Sequence, residues 1–316
     1  MMRIRSLAEL SLVVLLLAGR AAIAQTGYYN LDSGRPTRIE DALPTPRGEL
    51  EAQFLPFRGE WVSDGTARQR VEPKLSYGVL PMTEIELRVP LVRSQSPGSV
   101  ATIGIASAAV SALHAFNVET GWPALAITGE VVLPVGSLSA PTTSYSIKGL
   151  LTKTLGFGRI EVNVGGGTWS IRVPPPGPVA TPNQCGDPGQ PPCLPPDVPC
   201  SVAPANASGL SFACAPSTSA SFSSVASTTQ RGTGAHWTAA LGFDHTFPLM
   251  STLIVADIVV DRFDGLYPLN DWTAEVGMRK QLTPKVVADV GFSRRFAGTT
   301  QATWVTLGTS YSVPVW

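Results

Sequence analysis

About twelve segments of this 316-residue chain alternate apolar and polar residues at every second position, and that rhythm constrains the fold more than any other feature. In EIELRVPLV (84–92), Ile85, Leu87, Val89 and Leu91 are apolar, while Glu84, Glu86 and Arg88 are charged. A strand turns successive side chains to opposite faces, so such a segment is oily on one side and ionic on the other. No long stretch carries a helical period. Strands are expected at about 48–58, 68–80, 83–93, 103–116, 123–135, 143–155, 159–172, 234–247, 251–264, 270–282, 285–296 and 302–316, with 103–116 the faintest.

Two architectures use such strands. A soluble β-sandwich buries the oily faces against each other and wets the ionic ones. A membrane barrel turns the oily faces to lipid and encloses the ionic ones. The connectors separate them. Counted from the N-terminus, even connectors are short: Pro81-Met82, 117–122, Gly156-Phe157-Gly158, Pro248-Leu249-Met250 and Thr283-Pro284. Odd connectors are mostly longer, including 59–67, 94–102, 136–142 and 173–233. Short turns on one rim and long loops on the other mark an outer-membrane barrel. The segments, about 10–13 residues long, exceed ordinary strands of about 5–6 and suit a tilted bilayer crossing. Trp61, Trp122, Trp169, Trp237, Phe247, Trp272 and Trp316 fall near segment ends, where interfacial girdles lie. The expected fold is all-β: a single antiparallel up-and-down transmembrane β-barrel of about 12 strands. An even count places both chain ends on the short-turn, periplasmic side.

The first residues have a separate character. Arg3 and Arg5 precede an apolar run at 10–19, and Ala22-Ile23-Ala24 is a small-x-small cleavage site. Residues 1–24 are therefore expected to be a secretory signal peptide, which implies export to the outer membrane of a Gram-negative bacterium. The barrel is expected to span 48–316. The 25–47 lead-in is expected in the periplasm or facing the lumen. A periplasmic tail is the simpler expectation, and pairing of Asp32, Arg35, Arg38, Glu40 and Asp41 with lumen charges is the alternative. Outer-membrane lipid and the barrel-assembly machinery, reached through the C-terminal strand, are the expected partners. Trp316 supplies the aromatic ending that assembly uses, but it is out of phase with Val305, Leu307, Tyr311, Val313 and Val315, and Pro314 interrupts pairing.

The 173–233 connector is Pro-rich and holds all four cysteines: Cys185, Cys193, Cys200 and Cys214. An even number in one exported loop implies two disulfides, with three pairings open. No C-x-x-C and no nearby His support a metal site. The loop is read either as a gate or recognition element, or as an insertion tolerated at a loop tip.

Charge and motif exclude other classes. Lys+Arg and Asp+Glu number 23 each, so nothing points to nucleic acid. The three histidines, His114, His236 and His245, accompany no G-x-S-x-G elbow, and Gly165-Gly166-Gly167 lacks the Lys-Ser/Thr of a phosphate loop. No enzyme, cofactor or metal is expected. The ionic parity instead yields lumen-lining candidates: Glu49, Glu51, Glu72, Lys74, Glu84, Glu86, Arg88, Glu130, Asp257, Asp261, Glu275 and Arg279. They either pair to fill a narrow barrel or line a water-filled path.

Finally, GRPTRIEDALPTPRGELEAQF (34–54) and VEPKLSYGVLPMTEIELRVPL (71–91) carry a family pattern. Arg35, Pro36, Glu40, Asp41, Ala42, Glu72, Leu75, Tyr77, Gly78, Glu86, Leu87 and Pro90 fit it, with Glu86 one place off. In these residues the chain resembles the outer-membrane transporters grouped with the meta-pathway of phenol degradation. The resemblance implies a barrel that passes small, aromatic or hydrophobic molecules. The expected function is an outer-membrane channel with a charged lumen. The alternatives are a structural or surface-display barrel presenting the cysteine loop and, third, a membrane lipase.

Overall fold

The computed structural model describes residues 29–32, 34–173, 230–264 and 270–315. The 1–24 leader, the four cysteines and Trp316 lie outside the described residues. The chain divides into two compact units, residues 1–171 with 232–316, and residues 172–231. Of the second, only strand ends are described.

The first unit is a closed barrel of twelve strands. They are β1 (Glu49–Val62), β2 (Ala67–Val71 with Lys74–Leu80), β3 (Thr83–Arg88 with Leu91–Gln95), β4 (Thr102–Ile105 with Ala108–Asn117), β5 (Ala124–Leu133), β6 (Ser144–Leu155), β7 (Gly158–Val173), β8 (Gln230–Phe247), β9 (Thr252–Phe263), β10 (Asp271–Thr283), β11 (Val286–Ala297) and β12 (Ala302–Pro314). Each pairs with its sequence neighbours, and β12 returns to β1, from Glu49 opposite Pro314 to Val62 opposite Ala302. Closure gives each of the twelve strands a neighbour on both sides, although the Thr102–Ile105 piece of β4 pairs only with β3. Apart from the 3-10 turn Pro248–Met250, the described residues hold no helix. The expected strands are all present.

Three strands are broken at one level. β2 breaks at Glu72-Pro73, β3 at Val89-Pro90 and β4 at Ala106-Ser107, while β1 carries a bulge between Phe54 and Phe57. Proline has no N–H to give a ladder, so it sits where pairing can be interrupted. Single bonds stitch the seam: Glu72 N–H to Pro56 O (3.0 Å), Val89 to Pro73 (3.2 Å) and Ala106 to Pro90 (3.0 Å). That break is why 103–116 reads faintly in sequence. The glycines of β7 have a packing reason, since a Cβ at Gly165 would lie 2.7 Å from Ile147 O on β6.

Alternation sorts the two faces as a barrel requires. Leu241, Ile258, Val276, Phe292 and Leu307 are exposed on the outside, while Asp244, Asp257, Glu275, Ser293 and Thr306 are buried inside. Trp304 departs from the girdle positions: it faces inward and is only 1% exposed.

The lead-in does not hang free as the simpler expectation had it. Its apolar residues complete two small cores within the barrel. Leu31 and Ile39 pack with Ala240, Leu253, Val255, Val259 and Val287. Ala42 packs with Leu113, Ala115, Ala124, Ala126 and Leu150. A polar lumen with apolar islands gives a mixed segment somewhere to bury both kinds of side chain, which a periplasmic tail could not do.

Candidate functional site

The site is the barrel interior with residues 29–48 inside it. This segment has little regular structure of its own, so its backbone groups need partners from the wall. Carboxylates provide many of them. Arg38 N–H donates to Glu275 Oε2 (2.7 Å), Ile39 N–H to Asp257 Oδ2 (2.9 Å) and Thr45 N–H to Glu84 Oε2 (2.6 Å). Asn163 accepts from Glu40 N–H (2.9 Å) and donates to Glu40 O (2.7 Å). Thr152 accepts from Ala42 N–H (2.9 Å), and Thr306 donates to Pro36 O (2.7 Å).

Side chains then fix the middle of the segment. Arg38 reaches Glu275 (2.9 Å) and Asp261 (2.6 Å), and Arg35 reaches Asp289 (3.1 Å). Glu40 pairs with Lys148, and Asp41 with Arg159 (3.4 Å). Hydrogen bonds to charged groups contribute about 1.5–3 kcal/mol each in buried settings, so a segment gripped this often stays docked in nearly every molecule.

Burial pushes the Asp41 carboxyl up to about 7, against the pull of Arg159 and the backbone amides of Leu31 and Leu43. Burial acts the same way on Asp32, but Lys74, Arg279 and Arg35 outweigh it and hold that carboxyl below its ordinary range. The signs oppose. Asp41 favours docking at low pH and loses that contribution as pH rises towards 7; Asp32 favours docking at neutral pH and loses it in acid.

Backbone room for the segment comes from glycine. Gly78, Gly242, Gly277, Gly291 and Gly308 all face inward, and a Cβ at any of them would strike the segment. At Gly277 it would lie 2.5 Å from Pro36 Cβ, and at Gly242 2.7 Å from Ile39 Cγ1. These five positions form a groove shaped for one occupant.

The lumen candidates read from sequence are distributed as follows. Glu84, Asp257, Asp261 and Glu275 hold the segment directly. Lys74 bridges Glu86 (2.8 Å) and Asp32 (4.0 Å), and Arg279 lies 3.8 Å from Asp32. Arg88 gathers Glu72 (3.2 Å), Glu86 (2.9 Å) and Glu130. Glu51 accepts from Gln53 (3.1 Å), and Glu49 is buried at the start of β1. Of the histidines, His236 stacks on Phe263, His245 is half-buried beside Phe247, and His114 is exposed beside Phe116. Among the described residues no group of His, Cys, Asp and Glu could hold a metal ion.

Next to the docked segment lies a cavity of about 300 Å³. Seven of its lining residues are Arg or Lys and two are Asp or Glu. The guanidinium carbon of Arg58 lies 4.3 Å from the Trp304 ring centre, and that of Arg38 lies 5.9 Å from it.

No family model and no curated protein matches the sequence. Among solved structures, the chain is similar to an outer-membrane channel from Pseudomonas putida F1, with 13% identity over 90% of this chain and 100% of that one, at a TM-score of 0.53. The NanC porin (8% identity, 81% and 98% coverage, TM-score 0.46) and the CymD monoaromatic hydrocarbon channel (7%, 85% and 89%, TM-score 0.40) also match. The chain has the fold of an outer-membrane channel. Arg58, Arg159, Asn163, Trp304 and the inward glycines did not stand out in sequence. For Arg58 a signal existed, because Pro56 marks the bulge that reverses the parity of β1 and turns Arg58 inward, opposite Thr306.

Proposed function

We propose that the chain is an outer-membrane channel for small molecules, closed at rest by its own residues 29–48. The observation that carries this reading is the docked segment itself, held by lumen carboxylates and seated in a glycine groove beside a solvent cavity. Export by the 1–24 leader, insertion with the aid of the C-terminal strand, and a preference for aromatic or hydrophobic solutes belong to the same proposal. The apolar outer wall supports placement in lipid, and the mixed charges inside support a wet path once the segment moves.

Two experiments test it. Leu241→Arg places a charge on the outer wall; it is expected to lower the unfolding free energy in lipid vesicles by about 2–4 kcal/mol, the cost of a mid-bilayer cation on a barrel. A cost near zero would put water, not lipid, at that face. Gly277→Val leaves every charge in place and forces Pro36 to move. In planar bilayers, open time is expected to rise several-fold over wild type, since a misfit of this kind costs about 1–3 kcal/mol of docking. Absence of single-channel steps from both proteins would favour a closed scaffold that displays its loops.

A further inference from the structure

The cavity beside the docked segment has uneven electrostatics. Six of its seven cations have acidic partners within 4.0 Å: Arg35 with Asp289, Arg38 with Asp261 and Glu275, Arg70 with Glu72, Lys74 with Glu86, Arg88 with three glutamates, and Lys148 with Glu40. Arg58 has none among the described residues, and its buried Nε has no hydrogen-bond partner. A largely buried cation without a counter-ion is costly, and the Trp304 ring only partly compensates. A planar guanidinium left in this state is a ready receiver for a carboxylate, which it can grip with two parallel hydrogen bonds.

The rest of the wall narrows the ligand. Pro56, Ala240 and Val259 supply apolar surface in the same cavity. At about 300 Å³ the space is at the small end of the range for small-molecule sites, enough for a single-ring acid. We propose that this cavity binds small organic carboxylates carrying an apolar body, with Arg58 as the residue that holds the anion. The inference rests on the channel reading for its biological sense, because it names the solute class that the channel would pass. A cation is disfavoured by the uncompensated charge of Arg58, and a neutral ring forgoes the guanidinium bonds.

Calorimetric titration of the full mature barrel in detergent tests this at equilibrium, without any current. The probes are benzoate, phenol and benzylammonium, which share a ring and differ in charge. Wild type is expected to bind benzoate at least about tenfold more tightly than either of the others, the scale of one charge-assisted bidentate contact. Arg58→Gln is expected to lose about the same factor for benzoate alone, and Arg58→Lys to lose less, since it keeps the charge but not the fork. Heat-modifiable mobility confirms that each variant is folded, and Arg58→Lys carries the comparison if Arg58→Gln is not. Equal binding of the three probes, no benzoate binding by wild type, or wild-type affinity in the folded variants overturns the proposal. A failure of the channel reading shows elsewhere, as the absence of current from a barrel lacking the docked segment.

Discussion

Removal of residues 29–47 is expected to raise single-channel conductance about tenfold over the intact protein, because twelve strands enclose more space than the filled interior of an eight-stranded barrel. The strand ladder is untouched by the deletion, including closure of β12 on β1. The interior changes sharply. Asp257 and Glu275 are direct cross-strand partners on β9 and β10, and between them they accept the backbone amides of Ile39 and Arg38. Without the segment, two neighbouring carboxylates face an emptied space. A buried charge stripped of its partner costs about 3–5 kcal/mol if the site stays dry. Water entry removes most of that cost, so the stripped lumen floods, and a flooded lumen conducts. The core contributions of Leu31, Ile39 and Ala42 are lost as well, so the deleted barrel is expected to unfold at lower temperature while still running as a folded band in the cold. Conductance unchanged from wild type would mean that something other than the 29–48 segment closes the path.

Much of this barrel could be read from sequence because its two faces meet different surroundings. Ile254, Ile258, Val276 and Phe292 alternate with Asp257, Glu275 and Asp289 so regularly that strands, register parity and lumen carboxylates follow from a period of two. The pattern misleads where a single residue resets that period. The extra residue in β1 between Phe54 and Phe57 reverses parity and hides Arg58 among the lipid-facing positions. The prolines at 73 and 90 split strands that the count had treated as whole. The docked segment was a different problem. Its charges, Asp32, Arg35, Arg38, Glu40 and Asp41, suit a solvated tail as well as a lumen. What decides its position is complementarity between residues more than a hundred positions apart, such as Arg38 with Asp261 or Glu40 with Asn163, and local pattern carries no record of such pairs. The inward glycines carry a trace of it that becomes meaningful only once the segment is seen docked. Gly242, Gly277, Gly291 and Gly308 occupy ionic-face positions where a packed or water-lined wall has no need of them, and together they report that backbone passes close by.

Locking the segment in place separates a moving plug from a leak around a fixed one. The Ile39→Cys, Gly242→Cys pair suits this. A Cβ built at Gly242 lies 3.2 Å from Ile39 Cβ, slightly shorter than the usual disulfide span of about 3.5–4.5 Å, and an outward shift of a few tenths of an ångström accommodates the bond. The position is well chosen in another respect. Gly242 pairs with Asp257 across β8 and β9, and Asp257 already holds the Ile39 amide, so the cross-link reinforces a contact that exists and leaves the ion pairs of Arg38 and Arg35 intact. Oxidised protein is expected to lose its openings altogether, and reduction is expected to restore them to the wild-type level. A closed covalent loop limits the segment to excursions far shorter than undocking requires, so any current that survives oxidation runs through gaps around the segment. Persistence of wild-type openings in the oxidised protein would therefore leave the barrel a channel but remove residues 29–48 as its gate. Loss of openings together with free conduction after deletion of the same residues would leave movement of the segment as the step that opens the path.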